Sequence, residues 1–426
     1  MDINELYKIY CQYPSIQTDT RKLRQGDLFF ALKGPNFNGN LYAKTALEQG
    51  ASFAIIDEKE FELPDKTILV ANSLLCLQTL AKHHREQFSI PFIAITGSNG
   101  KTTTKELIHA VLSSTFSTYS TEGNLNNQIG VPLSILKIPL TAQIAVIEMG
   151  ANHEKEIENY CSIALPTHGL ITNCGKAHLE GFGSEEGVRK AKGELYTFLK
   201  INKGTVFVMR DYDYLQRMSQ GISSKFKYGT NDAEIEGATC SNELFLSVQI
   251  KKGMAACTIS TQLIGDYNLP NVLAAVAVGK HFGVPDENII SAIENYIPSN
   301  SRSQFLKIGS NQFIMDAYNA NPSSMKAAIE NFANIKGNNK VLLLGAMAEL
   351  GKESEAAHLQ LIELINQFSW KEVILVGENF YRLKTNYRAF KNVQEAKTWF
   401  QKSKFENTNF LLKGSRSVQM EKIIEA

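Results

Sequence analysis

The sequence predicts an α/β protein of three units, the middle one a parallel sheet carrying a phosphate loop and the last one doubly wound. Three observations lead there. From about residue 90 onward, apolar strand-like segments alternate with amphipathic helix-like ones, the pattern of a parallel sheet covered by helices on both faces. The 426 residues suffice for more than one domain at about 100–200 residues each. Finally, Pro91–Lys105, PFIAITGSNGKTTTK, runs directly from a buried-strand pattern through a glycine loop into a helix start.

Taken in order, residues 1–86 carry short strand candidates at Leu28–Leu32, Phe53–Ile56 and Ile68–Val70, with helices at about 41–49 and 73–88. This is a complete small α/β unit. The second unit, 87–298, has strand patterns at 92–96, 144–149, 168–173 and 205–209, with helical ones at 101–114, 154–164 and 184–200. Residues 233–261 alternate with period two (Leu244–Ile250, Ala255–Ser260), which predicts an antiparallel addition before a helix at 270–283. The third unit, 299–426, shows four apolar strands at 312–316, 341–346, 372–377 and 409–412, each followed by a helical segment. It has no G-x-G-x-x-G fingerprint, so its doubly wound pattern alone implies no dinucleotide.

Composition excludes several classes. Lys+Arg of 44 against Asp+Glu of 43 gives no global attraction for a polyanion, so nucleic acid is not an expected partner. The first residues carry acids and no long apolar core, unlike a secretory signal, and no apolar run approaches the ~20 residues of a membrane span. The six cysteines are scattered without a C-x-x-C pair, which fits free thiols in a reducing, cytoplasmic setting.

The loop carries the chemistry. Gly97 and Gly100 allow backbone N–H groups of Ser98, Asn99 and their neighbours to turn toward an anion. Lys101 can reach outer phosphates, Thr102 can ligate magnesium, and Thr103 opens a helix whose N-terminal dipole favours phosphate. Ile95 stands where the general pattern has its first glycine. Glu148 ends the apolar strand IAVIEMG at the carboxyl edge, where it is either a metal ligand or a solvated carboxylate. His178 lies in the glycine-rich NCGKAHLEGFG, as a ligand or an ordinary surface or core histidine. Lys192, in a helical pattern beside Arg189 and Lys190, reads by itself as a solvent-facing cation.

The variant T-G-x-N-G-K-T resembles the loop of the Mur ligases and folylpolyglutamate synthases, ATP-dependent amide-forming enzymes. Further matches follow in family order. They are Thr18-Asp19-Thr20-Arg21 with GDLFFALKG, Gly123-Asn124-Leu125-Asn126-Asn127, Glu148-Met149-Gly150-Ala151-Asn152, Ala191-Lys192-Gly193-Glu194, Asp316-Ala317-Tyr318-Asn319-Ala320-Asn321-Pro322 and Lys413-Gly414-Ser415-Arg416-Ser417. The chain is identified on these as similar to the Mur ligase family, and most to the branch that adds D-Ala-D-Ala to UDP-MurNAc-tripeptide.

The resemblance implies ATP, two magnesium ions and a monomeric enzyme that makes an acyl phosphate. It implies a first domain that holds the nucleotide sugar through Thr18, Asp19 and Arg21, with a family histidine replaced by Asn40. It gives Thr102, Glu148, His178 and a carbamylated Lys192 as metal ligands, and Lys101, Lys192, His178 and Glu148 as the catalytic set. Asn268 and Asn271, in a stretch resembling G-x-x-N-x-x-N, would serve adenine, and Arg302 and Asp316 would meet ATP. Asn126 and Asn127 would line the muramyl-peptide channel. Tyr318, Asn319, Asn321, Lys413, Ser415 and Arg416 would face the dipeptide. Asn300-Ser301-Arg302 departs from the family's Gly-Arg. Other readings stay open: a folylpolyglutamate synthase, the ligase that adds the third stem residue, or an ATP-binding module without turnover. Because the loop lies in the middle unit and Arg302, Asp316 and YNANP in the third, the sequence predicts domain closure about a hinge near Pro298.

Overall fold

The computed structural model describes residues 2–240, 244–299, 302–337 and 339–425. Among them the strands form three main sheets and a short hairpin. The first sheet is parallel, with neighbouring strands Ile16–Gln17, Leu28–Phe30, Phe53–Ile56 and Thr67–Leu69. The helix that opens the chain, Ile3–Gln12, was not legible as such; an Asp2/Glu5 capping box starts it, and Leu6 and Tyr10 bury its inner face.

Helix Ser73–Arg85 ties this unit to the next. Asn72 Oδ1 caps it by accepting from Leu75 N, and Leu77, Leu80 and Ala81 are fully buried. At its end the Arg85 guanidinium lies 3.7 Å from the centre of the Phe92 ring and donates to the carbonyls of Ala164, Leu165 and Phe88. One apolar core therefore runs from Leu6 to Ile293 without a break. Burial also pushes the Arg85 pKa down to about 10, the electrostatic cost of this buried bolt.

The second sheet has nine strands, in the order 257–264, 245–252, 235–239, 224–229, 205–209, 168–171, 92–96, 144–148, 118–120. It is parallel from 118–120 through 235–239. The last two strands are antiparallel, as the alternating pattern at 233–261 suggested. Strand Phe92–Thr96 sits between 168–171 and 144–148, buried at every position. The chain crosses over it on the way from 144–148 to 168–171, so the sheet opens a crevice at its carboxyl end. Short strands 118–120 and 224–229 lacked a strong apolar run, and only tertiary pairing reveals them.

The third sheet has six strands rather than four, in the order 304–308, 311–316, 409–413, 340–345, 372–376, 388–390. The missed edge strands are amphipathic and polar, 304–308 as an antiparallel hairpin partner and 388–390 as a parallel edge. Separate apolar cores cover its two faces. Asp316 and Lys413 are register partners at the carboxyl end of adjacent strands. Asn300 and Ser301 of the departing motif lie outside the described residues. No helix among the described residues is long and apolar enough to cross a membrane.

Candidate active site

The carboxyl ends of the second and third sheets face a shared cleft of about 810 Å³. Its floor is the loop after strand Phe92–Thr96. Gly97 has φ +143°, and a Cβ there would sit 2.0 Å from Thr172 Oγ1; Gly100 has φ +79°, and its Cβ would meet Asn271 Oδ1 at 2.7 Å. Both glycines are therefore required by backbone conformation and by space. Helix Lys101–Ser113 begins immediately after Gly100. The Lys101 ammonium folds back onto the carbonyls of Gly97 and Ser98, at 2.7 and 3.2 Å. Burial lowers its pKa, with Arg302 working in the same direction and Glu148 and Glu349 opposing. A phosphate would replace those two carbonyls with full negative charge.

Glu148 is 1% exposed and fully engaged. Thr102 Oγ1 donates to its Oε2 at 2.9 Å, Asn126 Nδ2 donates to its Oε1 at 2.8 Å, and its own N–H donates to Thr121 Oγ1. The solvated-carboxylate reading is corrected by this geometry: the carboxylate is held against the loop. Asn127 Oδ1 accepts from Ile129 N and Gly130 N in the turn that leads into helix Gly130–Leu136.

Lys192 corrects the bland reading too. It is 1% exposed on helix Glu185–Ile201, not solvent-facing. Its Nζ donates to Ala151 O at 3.1 Å and lies 5.1 Å from the Phe182 ring centre. Burial first, then repulsion from Lys101, pushes its pKa down to about 7, so a neutral amine is accessible near neutrality. His178 takes a left-handed backbone, φ +51°, and its Nδ1 lies 2.5 Å from Glu349 Oε2 of the third unit.

The third unit supplies the roof. Asn321 caps helix Pro322–Asn334 through Oδ1, and its Nδ2 donates to Asn99 Oδ1 at 2.8 Å. Ser323 Oγ accepts from Lys176 N. The Lys413 ammonium is buried against Asp316 Oδ2 at 2.6 Å and also reaches Asn319 O. Arg302 stacks over Tyr318 at 3.5 Å. The loop and YNANP are thus already in contact.

The structure brings Ser98 through Thr103, Asn126, Asn127, Glu148, His178, Asn268, Asn271, Arg302, Asp316, Tyr318, Asn319, Asn321 and Lys413 to one cleft. Asn268 and Asn271 line it, but their amides brace the fold. Asn271 Oδ1 accepts from Thr104, its Nδ2 donates to Asn268 Oδ1, and Asn268 Nδ2 donates to Ile264 O. Ser415 is not in the cleft; it is buried, bonded to Ala346 O, on a second cavity of about 550 Å³. Arg416 pairs with Glu421 on the surface. Thr18, Asp19 and Arg21 are on the first unit, where Asp19 holds Arg21 in a two-point contact. Asn40 is fully buried, exchanging hydrogen bonds with Asp57.

Sequence reasoning missed Thr172 and Asn173, which anchor Asn99 through three hydrogen bonds. It also missed Glu349. The signal for the first pair was polar residues directly after the strand 168–171; Glu349 carried no local signal.

A phosphate loop with a buried carboxylate behind it, roofed by a second doubly wound sheet, defines the class. The chain belongs to the Mur ligase family. The family's catalytic-domain model matches residues 12–84, its middle-domain model 95–279, and the glutamate ligase domain model 301–416. One relative, the UDP-N-acetylmuramoyl-tripeptide–D-alanyl-D-alanine ligase of Bacillus subtilis, is 36% identical over 85% of this chain and 80% of its own length. A crystal structure of MurF from Acinetobacter baumannii superposes with a TM-score of 0.87 at 30% identity, covering 96% of this chain and 92% of that one. MurF of Thermotoga maritima in complex with ADP gives 0.85 at 27% identity, over 96% of each chain.

Proposed function

We propose that this chain is the ATP-dependent ligase that joins D-alanyl-D-alanine to UDP-N-acetylmuramoyl-tripeptide during peptidoglycan precursor synthesis. The observation that carries the reading is the single cleft in which Lys101, Thr102 and Glu148 face Arg302, Asp316, Asn321 and Lys413 from another sheet. A carboxylate is a poor electrophile, so amide formation needs ATP to convert it to an acyl phosphate that the dipeptide amine then attacks. The protein's tasks are to neutralise phosphate charge, align three reactants and exclude water.

Lys101 and the loop N–H groups hold the outer phosphates, with Gly97 and Gly100 keeping the backbone open. Asn126 fixes the Glu148 carboxylate toward Thr102. Lys413 and Asp316 hold the YNANP turn, whose Tyr318 and Asn319 meet nucleotide and dipeptide. Ser415 and Arg416 serve the dipeptide only if the segment after Lys413 rearranges. Asn271 and Asn268 serve adenine where ligand competes with their mutual hydrogen bond. Arg21 meets the nucleotide sugar by leaving Asp19, and its exposure makes that exchange cheap.

No group of three or more His, Cys, Asp or Glu able to hold an ion occurs among the described residues. Magnesium keeps several waters and binds through one or two protein oxygens plus phosphates, and Thr102 and Glu148 are such a pair. His178 and a carbamate on Lys192 would hold a second ion, and the depressed Lys192 pKa supports a reactive neutral amine there. Bound magnesium would neutralise phosphate charge. The units 1–86, 87–298 and 299–426 act as nucleotide-sugar, ATP and dipeptide domains of a cytoplasmic monomer.

The test is incubation with ATP, magnesium, D-alanyl-D-alanine and UDP-muramyl-tripeptides ending in either diaminopimelate or lysine, read by mass spectrometry. Dipeptide-dependent release of ADP and phosphate with the matching pentapeptide product is expected. AMP and pyrophosphate would refute the acyl-phosphate route, and dipeptide-independent phosphate release would refute the ligase.

A further inference from the structure

The third unit reaches across to the His178 side chain through a carboxylate. Glu349 follows strand 340–345 and contacts the histidine loop twice: its Oε2 lies 2.5 Å from His178 Nδ1, and its carbonyl accepts from Glu180 N at 3.4 Å. Both residues hold a left-handed backbone, φ +51° at His178 and +60° at Glu349. A non-glycine residue keeps that conformation only where its surroundings enforce it, and such positions gather at functional sites. His178 Nδ1 is buried and has no well-aligned hydrogen-bond partner among the described residues. The Glu349 carboxylate, 2.5 Å away, is the acceptor within reach of a proton on that nitrogen.

An imidazole that ligates a cation uses one nitrogen and must carry its proton on the other. A carboxylate behind that second nitrogen fixes the tautomer, locks the ring and raises its basicity. We propose that Glu349 is a positioning residue: delivered by the third unit, it holds the His178 proton on Nδ1 and so leaves Nε2 as the nitrogen that ligates a divalent cation beside the nucleotide. The inference rests on the metal role of His178 given above. Its consequence is that the cation site is finished only when the third unit is docked, because His178 belongs to the middle unit and its partner does not. The same docking makes the Asn321–Asn99 contact on the phosphate loop. Closure and cation affinity are therefore coupled through two adjacent contacts.

The experiment measures binding of a non-hydrolysable ATP analogue against magnesium concentration in the full chain, with Glu349→Ala, Glu349→Gln, His178→Ala and the double variant Glu349→Ala/His178→Ala. Glu349→Ala should raise the magnesium needed for half-maximal binding about 10-fold or more, the usual cost of losing such a partner. Glu349→Gln keeps an acceptor for the Nδ1 proton and should restore most of the loss. On the His178→Ala background, removing Glu349 should add little. An unchanged magnesium requirement in Glu349→Ala, with a clear shift in His178→Ala, overturns this inference and leaves the metal role of His178 standing. No shift in His178→Ala overturns both. Because Glu349→Ala can fail to fold, ¹⁵N spectra of the parent and Glu349→Gln provide the second readout. Protonation at Nδ1 of His178 supports the assignment, and protonation at Nε2 in the parent overturns it.

Discussion

Replacing Lys192 by methionine should make the protein more stable and inactive at once. The buried ammonium has its pKa lowered from 10.5 to about 7. At about 1.4 kcal/mol per unit, holding it charged in the fold costs on the order of 5 kcal/mol below about pH 7. The unfolded chain keeps this proton up to its ordinary pKa of 10.5, whereas the folded protein releases it near 7. Between those values the unfolded state binds more protons, so stability rises with pH. The remaining penalty is about 3 kcal/mol at about pH 8 and about 1 kcal/mol at about pH 10. Methionine fills much of the same volume without charge. It gives up the hydrogen bond to Ala151 O at 3.1 Å and the contact with the Phe182 ring. An unsatisfied buried carbonyl costs about 1–3 kcal/mol. The net expectation for Lys192→Met is a gain of about 3 kcal/mol at about pH 6, vanishing by about pH 10. Urea unfolding at several pH values in carbon-dioxide-free buffer measures the first part, and ATP-dependent phosphate release the second. A variant that is less stable at pH 6, or a difference independent of pH, would refute desolvation of this lysine. Retained turnover would refute its catalytic role.

Three further outcomes are expected. Lys101→Ala should lose turnover by far more than tenfold, because uncompensated phosphate charge in a dry site costs several kcal/mol; a loss below about tenfold in steady-state rate would remove the loop from the mechanism. Asn99→Ala and Asn321→Ala should each weaken nucleotide-induced closure and be coupled by about 0.5–1.5 kcal/mol in a double-mutant cycle on analogue binding, whereas strict additivity would mean the 2.8 Å contact is idle. His168 and His281 meet through Nε2 atoms 3.2 Å apart; burial, then His281, pushes the His168 pKa down to about 4. The unfolded chain takes up that proton near 6.5. Stability should accordingly fall as pH drops from about 6.5 toward 4, by up to about 3 kcal/mol. His168→Phe should flatten that part of the urea-midpoint profile, and an unchanged slope would contradict it.

The phosphate loop was legible because its requirements are local. A strand, two glycines in special conformations, a lysine and a hydroxyl must be contiguous to wrap an anion, so PFIAITGSNGKTTTK carries the whole device. The buried strands at 92–96, 144–148, 340–345 and 409–413 were legible for a similar reason: a strand covered on both faces is apolar along its interior, with polar groups confined to its ends. Polar or short edge strands such as 118–120, 304–308 and 388–390 were not, since their pairing rather than their composition defines them.

What the sequence by itself determined is the kind of chemistry and the residues able to perform it. What only the tertiary structure decided is how they are paired. Helical periodicity could not say that Lys192 is sealed from water, because that depends on which neighbours cover its face. No spacing announced that Glu349 would meet His178, 171 residues earlier in the chain, or that Asn321 would spend one end of its amide on a helix cap and the other on Asn99. The same holds for Ser415, which belongs to the matching motif yet turns into its own domain. Contacts between distant segments depend on how whole sheets dock, and docking depends on the summed burial of surfaces that no single stretch of sequence contains.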